Sequence, residues 1–150
     1  MTSAGTDEPD STTRLDDDLS FLIARANALS IAAGNAALAE FGLRVRSYSV
    51  LSMAAETAGP SQREISDHLR LDPSQVVALV DDLQGRELVE RRPDSRDRRA
   101  NVVVATPAGR ALLAEARAAV LGAERALHSQ LADDDRAVLA ELLRKVAFAG

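Results

Sequence analysis

The stretch that decides the fold runs from Ser61 to Thr106 and reads SQREISDHLR LDPSQVVALV DDLQGRELVE RRPDSRDRRA NVVVAT. In its first half, apolar residues recur at the spacing of an α-helix, with one short interruption at Arg70-Leu71. Its second half holds two short runs rich in β-branched residues on either side of a polar, arginine-rich loop. The stretch therefore predicts two helices followed by a β-hairpin, which is the arrangement of a winged helix-turn-helix.

The second of these helices has a well-marked beginning. Asp72 can serve as its N-cap, and Pro73 falls at the first helical position, where a missing N–H loses no hydrogen bond. Four apolar residues then recur at helical spacing and predict the buried face: Val76, Leu79, Val80 and Leu83. The opposite face carries small or polar side chains that are available to read DNA: Ser74, Gln75, Ala78, Asp81 and Asp82.

The loop of the predicted hairpin is a candidate DNA-contacting wing. The strands are predicted at Val89–Arg92 and Asn101–Thr106, and the loop between them contains Pro93–Arg99. This loop is too polar to enter a core, and its guanidinium groups match the geometry of phosphates and the potential of narrow minor grooves. The sequence therefore predicts that the loop lies on DNA.

Three segments of the chain closely resemble the signature of the MarR family of bacterial transcriptional regulators. These segments are Leu88–Arg91, Pro93–Arg99 and Thr106–Gly109, and the segment Leu43–Leu51 looks like the helix that leads into that family's winged domain. The similarity runs from about Asp16 to the end of the chain. The resemblance implies a DNA-binding regulator that forms a triangular homodimer.

Helical periodicity extends on both sides of the winged unit. A first helix is predicted from Asp16 to Phe41, ending at Gly42, and a second from Ser47 to Ala58. After the hairpin, one helix is predicted from Pro107 to about Leu131 and a last one from Asp133 to Phe148. The predicted organisation is a disordered acidic tail at 1–14, a helical dimerisation region at 15–58 and 107–150, and a winged helix-turn-helix at 59–106.

The lengths and apolar faces of the outer helices predict a homodimer. A first helix of roughly 26 residues would be about 39 Å long, which is more than a small winged domain can cover. The helix after the hairpin is apolar over more than one stripe, so it needs one partner in its own chain and another elsewhere. A protein with twofold symmetry then predicts a palindromic DNA site whose half-sites are about 10 bp apart.

The net charge of −5 agrees with DNA binding only because of where the charges lie. Residues 1–20 hold six acidic residues against one arginine and account for the whole of that charge. The segment from Arg86 to Arg110 contains seven arginines and four acidic residues, which gives a local charge of +3. The basic region coincides with the predicted wing, as a DNA-binding protein requires.

We expect DNA contacts from the two helix starts, the exposed face of the second helix and the wing. These residues are Ser61, Gln62, Arg63, Pro73, Ser74, Gln75, Ala78, Arg96, Arg98 and Arg99. Asp94 and Asp97 are predicted to hold one or two of the wing arginines, and the resemblance implies that Asp81 braces the wing. Of the three wing arginines, Arg96 is predicted to enter the minor groove.

The exposed face of the second helix leaves a second interpretation open. Ala78 and Asp82 stand where the MarR family often has a basic residue, which predicts weaker phosphate contacts. The alternative to a DNA-binding repressor is therefore a protein-interaction module whose winged domain no longer reads DNA.

The resemblance also implies a small effector, often aromatic, bound in a cleft between the helical region and the winged unit. The predicted lining combines apolar walls with a few polar groups. It consists of Arg25, Asn27, Ile31, Arg46, Tyr48, Val50, Leu51, Met53 and Leu113, and for Tyr48 and Met53 a role in the core is the competing interpretation.

Several classes of function are excluded or disfavoured. The chain has no cysteine, which excludes disulfides and thiol-based redox sensing. Its two histidines, His68 and His128, lack a second ligand at metal-binding spacing, and no catalytic spacing or glycine-rich phosphate loop is present, so neither an enzyme nor a cofactor is expected. No apolar run reaches the roughly 20 residues of a membrane span, and no signal peptide is recognised, so we expect a cytoplasmic protein.

Overall fold

The computed structural model describes residues 14–56 and 58–150 and contains a two-stranded antiparallel sheet among helices. Short 3-10 helices at Arg14–Asp17 and Ala39–Phe41 flank the first α-helix. The α-helices and strands are, in chain order, α1 (Leu19–Leu38), α2 (Val45–Ala54), α3 (Gln62–Leu69), α4 (Pro73–Gly85), β1 (Val89–Pro93), β2 (Asn101–Ala105), α5 (Pro107–Leu127) and α6 (Asp133–Ala147). The mainly α fold class with a hairpin wing is confirmed, whereas residues 1–13 of the predicted tail lie outside the described residues.

The first helix is shorter than the sequence predicts. The carboxylate of Asp18 accepts the N–H groups of Ser20 at 2.9 Å and Phe21 at 3.3 Å, so α1 begins one residue after this cap. At the other end the chain passes through a 3-10 turn to Gly42. Its φ of 64° is in the left-handed region, which glycine adopts without steric cost because it has no side chain. A helix of 20 residues is about 30 Å long, so the estimate of 39 Å was too large.

Hydrogen bonds at both ends set the limits of α2, whose start was predicted two residues late and whose end was predicted four residues late. The side chain of Asn35 on α1 accepts the N–H of Val45 at 2.9 Å, and the hydroxyl of Ser47 accepts the N–H of Arg44 at 2.9 Å. These bonds satisfy N–H groups at the helix start that have no partner within the helix. At the far end, the guanidinium of Arg110 donates to the Ala55 carbonyl at 2.7 Å.

The core lies in the winged unit and also includes α2, the end of α1 and the first turns of α5. Gly109 lies so close to β1 that an added Cβ would be 2.0 Å from the Leu88 carbonyl oxygen, and only glycine permits this approach. The hydroxyl of Thr106 caps α5 at the Gly109 N–H and donates to the Glu87 carbonyl. The large side chains of this core that are almost fully buried include Leu51, Ile65, Val76, Val80, Leu83, Val89 and Val103.

The outer helices leave much of their apolar surface exposed. Leu38 is the one buried residue of α1, and α6 has none among its residues, all of which the structure describes. Helix α5 packs along α1, whereas α6 has no extensive contact with any other described element. The exposed large apolar residues of these helices are Leu19, Leu22, Leu29, Ile31, Leu121, Val138, Leu139, Leu142, Leu143 and Val146.

One expectation about membranes was wrong. The segment Leu19–Phe41 is long and apolar enough to cross a membrane by length and composition alone, with a mean hydropathy of 1.3. The reason is its many alanine and leucine residues, which raise the mean although Arg25, Asn27 and Asn35 interrupt the segment. A helix whose apolar surface is covered by a partner chain has the same composition.

Candidate nucleic-acid interface

The turn between α3 and α4 is fixed by side-chain hydrogen bonds and by one left-handed residue. Ser61 caps α3 by accepting the Glu64 N–H at 3.1 Å, and the buried hydroxyl of Ser66 donates to the Leu71 carbonyl at 2.6 Å. Helix α3 ends because Arg70 takes a φ of 55°. The helix therefore ends at Leu69, just before the interruption at Arg70-Leu71 that the sequence predicts.

The start of α4 is closed by a reciprocal cap. Asp72 accepts the Ser74 N–H at 3.1 Å and its hydroxyl at 2.9 Å, while Gln75 Oε1 accepts the Asp72 N–H at 3.3 Å. The backbone hydrogen bond from Ser74, with the hydroxyl bond second, lowers the pKa of Asp72. The Ser74 oxygen and the Gln75 amide nitrogen can still bond to DNA, whereas two-point recognition of adenine by Gln75 would break the bond to Asp72.

The face of α4 that points away from the core is exposed but carries no positive charge. Ser74, Gln75, Ala78, Asp81 and Asp82 are all exposed, as the sequence predicts, and Pro73 and Val77 are exposed beside them. No lysine or arginine occurs in α4. Positive charge beside this helix must therefore come from α3 and from the hairpin.

A single arginine of β1 joins the three elements of the interface, and sequence reasoning missed it. The Arg91 guanidinium donates to Gln62 Oε1 on α3 at 2.8 and 3.0 Å, and to Gln84 Oε1 on α4 at 2.9 Å. It also pairs with Asp81 Oδ1 on α4 at 2.6 Å. The alternation of a strand was the available signal, because Arg91 lies on the same face as the buried Val89.

The tip of the hairpin is shaped by two aspartates that bond to the backbone two residues further on. Asp94 Oδ1 accepts the Arg96 N–H at 2.9 Å, and Asp97 Oδ1 accepts the Arg99 N–H at 3.0 Å. Asp94 also pairs with the Arg96 side chain, at 3.3 Å from Nε. The backbone N–H of Arg96, followed by its guanidinium, lowers the pKa of Asp94, and the same side-chain bond raises the pKa of Arg96.

The three wing arginines differ in their surroundings. Arg96 is held by Asp94, whereas the exposed guanidinium groups of Arg98 and Arg99 have no hydrogen bond or ion pair with any residue that the structure describes. Asp81 contacts Arg91 in the middle of β1 rather than an arginine of the loop. Bracing by Asp81 therefore acts on the strand, while Asp94 and Asp97 fix the loop.

A second candidate site, which we call the effector cavity, lies between the outer helices and α2. Its volume is about 400 Å³. Three of the predicted ligand residues, Asn27, Ile31 and Tyr48, line it. The full lining is Asn27, Ser30, Ile31, Ala33, Gly34, Leu38, Val45, Tyr48, Ser49, Val120, Ala123, Glu124, Leu127, His128 and Leu143.

The other six residues predicted to line the effector cavity do not line it: Arg25, Arg46, Val50, Leu51, Met53 and Leu113. Arg25 and Arg46 are exposed and do not line the cavity, although Arg46 is three residues before Ser49, which does. Leu51 is fully buried in the core, and Met53 packs against that core. For Met53 the structure thus supports the competing core interpretation, and Tyr48 both packs on the core and lines the cavity.

The two histidines lie in different places. His68 is exposed on α3 and stacks on Phe148, with ring centroids 5.8 Å apart, while His128 lines the effector cavity. No group of three or more potential metal ligands occurs within residues 14–56 and 58–150.

Comparison with known proteins places this geometry in a family. The family model described as MarR family matches residues 41–100, from the end of α1 to the wing. A crystal structure of a MarR-family transcriptional regulator from Rhodococcus sp. RHA1 has 40% sequence identity and a TM-score of 0.87, with 93% of this chain and 99% of that chain covered. The chain belongs to the MarR family.

Two further MarR-type structures and one curated relative are informative. CouR from Rhodococcus jostii RHA1, bound to p-coumaroyl-CoA, has 40% identity and a TM-score of 0.84 over 93% of this chain and 98% of that chain. The repressor CouR bound to a 23-mer DNA duplex has 30% identity and a TM-score of 0.82 over 90% of this chain and 96% of that chain. A Thauera aromatica protein named as a putative regulator of the hcr operon is 29% identical over 66% of this chain. The matched region spans 60% of that protein's length.

Proposed function

We propose that this MarR-family regulator is a homodimeric repressor that binds a palindromic operator and is released from it by a small aromatic molecule. The observation that carries the proposal is the joint placement of the exposed α4 face and an arginine-rich loop through Arg91. The similarity to CouR bound to a DNA duplex supports a repressor. As a member of a family of DNA-binding regulators, the protein is not expected to be an enzyme.

The homodimer is supported by the apolar surface of the outer helices. Leu19 on α1 is 67% exposed, and Leu142 and Val146 on α6 are 53% and 60% exposed. Contiguous apolar patches of this kind mark interfaces in soluble proteins. We therefore assign 15–58 and 107–150 to dimerisation and 59–106 to DNA binding, and we place the protein in the cytoplasm.

In the proposed complex, α4 enters the major groove and the wing reaches the adjacent minor groove. Ser74, Gln75 and Ala78 would face bases, while Ser61, Gln62, Arg63 and Pro73 lie at the helix starts where backbone phosphates approach. Because α4 has no basic side chain, most of the salt-dependent affinity must come from Arg63 and the wing arginines. Twofold symmetry then requires half-sites about 10 bp apart.

Release by an effector is supported by the position of the effector cavity. It is lined by residues of α1, α2, α5 and α6. The turn after α1 is joined to the end of α4 by Arg86, whose guanidinium donates to the Gly42 carbonyl at 2.7 Å and the Phe41 carbonyl at 3.0 Å. A ligand that favours another arrangement of these helices would therefore change the separation of the two wings. The similar CouR structure bound to p-coumaroyl-CoA supports an aromatic effector.

The test is a titration of the full chain with labelled DNA from its own promoter, followed by fluorescence anisotropy at several salt concentrations. We expect saturable, sequence-selective binding whose affinity falls steeply with salt. Arg96→Ala should weaken binding at moderate salt about tenfold or more. Arg14→Ala removes the same charge from the 3-10 helix before α1 and should leave the affinity unchanged.

Two outcomes of that titration would count against the proposal. Equal affinity for promoter and unrelated DNA would remove operator recognition, and unchanged binding by the Arg96→Ala variant would remove Arg96 from the site. The second candidate function, a protein-interaction module, is favoured by the exposed face of α4, where Ala78 and Asp82 supply no positive charge. A chain that remains dimeric but has no measurable affinity for any duplex would support that alternative.

A further inference from the structure

We propose that α4 recognises its operator by the 5-methyl group of thymine, through a contact with the exposed side chain of Val77. The inference rests on the proposed function, which places α4 in the major groove, and it names the base that this helix reads. It follows from the position of Val77, from the hydrogen bonds of the polar residues around it and from the chemistry of base edges in the major groove.

Val77 is an exposed apolar residue on the side of α4 that faces the hairpin. Asp81 and Gln84 lie one and two turns further along the same side of the helix, and both accept hydrogen bonds from Arg91 of β1. Val77 is therefore one turn closer to the start of α4, the end of a recognition helix that contacts base edges. It is 40% exposed, whereas Val76 is fully buried. Val77 thus presents methyl groups to a molecule that approaches this side of α4.

Three polar residues of the exposed face are already engaged within the chain. Ser74 donates its hydroxyl to Asp72 at 2.9 Å, and Gln75 Oε1 accepts the Asp72 N–H at 3.3 Å. Asp81 pairs with Arg91 at 2.6 Å. The groups that remain are the Ser74 lone pairs and the N–H groups of the Gln75 amide. A single N–H donor fits thymine O4 as well as guanine O6 or N7, so these groups do not by themselves separate the bases.

The charge of α4 argues against recognition of guanine by this helix. In the major groove guanine presents two acceptors, N7 and O6, which arginine or lysine recognises with two hydrogen bonds. Helix α4 contains neither residue, and its exposed face carries the carboxylates of Asp81 and Asp82 instead. A carboxylate beside two acceptors has no hydrogen to share, and it loses water without compensation. The base that contacts this face must therefore offer a group other than an acceptor.

Thymine offers such a group, because its C5-methyl lies in the major groove and none of the other three bases carries it. Val77 meets this methyl with its own methyl groups, and the exposed Ala78 beside it adds no bulk or charge that would keep a base at a distance. Contact removes apolar surface of both partners from water. Burial of one methyl group changes the affinity roughly threefold, and a dimer with one such contact in each half-site multiplies the two factors.

The experiment compares duplexes that differ only in that methyl group. Full-length protein is titrated by fluorescence anisotropy with a duplex from its own promoter that it protects from nuclease digestion, and with the same duplex carrying deoxyuridine for each protected thymidine. Deoxyuridine keeps the base pair and lacks the methyl in the major groove, so minor-groove contacts of the wing are retained. We expect the deoxyuridine duplex to bind about tenfold more weakly. Equal affinity for the two duplexes overturns the proposal.

Two variants assign the effect to Val77. Val77→Ala shortens an exposed side chain, and we expect it to bind the thymidine duplex about tenfold more weakly than the wild-type protein does, with little change for the deoxyuridine duplex. Asp82→Asn removes a negative charge from the same exposed face, so it should tighten binding of both duplexes by a similar factor and keep their ratio. A Val77→Ala protein that keeps the full preference for thymidine overturns the assignment to Val77.

An unrelated duplex of the same length keeps this inference distinct from the proposed function. If the protein prefers its promoter duplex but binds the thymidine and deoxyuridine forms equally, the inference fails and operator recognition stands. If it does not prefer its promoter duplex over the unrelated one, the proposed function fails and the inference fails with it. A dimeric mass for the Val77→Ala variant, together with its binding of the deoxyuridine duplex, shows that this variant is folded.

Discussion

The winged unit buries its apolar residues within the chain, whereas the outer helices leave many of theirs exposed. In the winged unit, Ile65, Val80 and Leu83 are fully buried by contacts within one chain. On α6, Leu142 and Val146 are more than half exposed, and the helix has no buried residue among those described. The winged unit can therefore fix its own fold, whereas the outer helices require a further surface, which we assign to a second copy of the chain.

The largest expected effect comes from a charge placed on the exposed apolar face of α6. Leu142→Glu would bury an unpaired carboxylate in the proposed dimer interface, so we expect dimerisation to weaken roughly hundredfold or more. DNA binding should fall with it, because each half-site needs its own wing. Light scattering after gel filtration, over a range of protein concentrations, measures the change.

The control for this variant is the same substitution in the winged unit. Val77 on α4 is 40% exposed, and Val77→Glu should leave the protein dimeric. If Leu142→Glu remains a dimer at low concentration, α6 is not part of the interface.

Truncating the core of the winged unit should lower the stability of the fold and leave dimerisation unchanged. Leu83→Ala removes a fully buried side chain and should lower the free energy of unfolding by about 2–5 kcal/mol. The loss should be the same at every protein concentration, whereas the loss from Leu142→Ala should depend on concentration because that residue acts through the dimer. Urea denaturation at low and high protein concentration distinguishes them, and a concentration-independent loss for both variants would contradict the comparison.

The contacts of Arg91 predict a still smaller change in stability. Arg91→Lys keeps the charge but cannot bond to Gln62, Gln84 and Asp81 at once, so we expect a loss of about 1–2 kcal/mol and weaker operator binding. Arg92→Lys is the matched control, since the neighbouring arginine pairs only with Glu90 among the described residues. Equal behaviour of the two variants would show that Arg91 does not connect the wing to α3 and α4.

The smallest effect concerns the partly buried carboxylate of Asp94. Bonds from Arg96 hold its pKa below the usual value, so their contribution is present above the ordinary aspartate pKa and is lost as the pH falls through the lower folded value. The wing should therefore keep its shape from neutral pH to about pH 5 and change only below about pH 4. NMR titration of the Asp94 carboxyl measures this, and a pKa at or above the ordinary value would contradict it.

Most of the winged unit could be predicted from the sequence because local rules determine its elements. Asp72 and Pro73 mark the start of α4, and prolines and β-branched residues mark the strands. The family resemblance rested on residues that lie in these local elements, and it was confirmed. The long-range role of Arg91 was missed because its partners are 7 to 29 residues away in the chain.

The limits of the outer helices and the lining of the effector cavity were harder to predict. Helix α2 begins at Val45 because Asn35 on α1 accepts its N–H, a contact with no local signature. Arg25 and Arg46 were assigned to the cavity for their polarity, but both side chains are exposed and do not line it. Helix rotation relative to neighbours is set by packing, which a single sequence does not give.

The central claim is that two copies of the chain bind one duplex together, each through α4 and an arginine-rich wing. The most direct measurement is the mass of the complex with a duplex from the chain's own promoter, determined by native mass spectrometry. The account predicts two chains on each duplex, formed from a dimer that already exists in free solution. One chain on each duplex, or a free dimer that binds no promoter duplex, would contradict it.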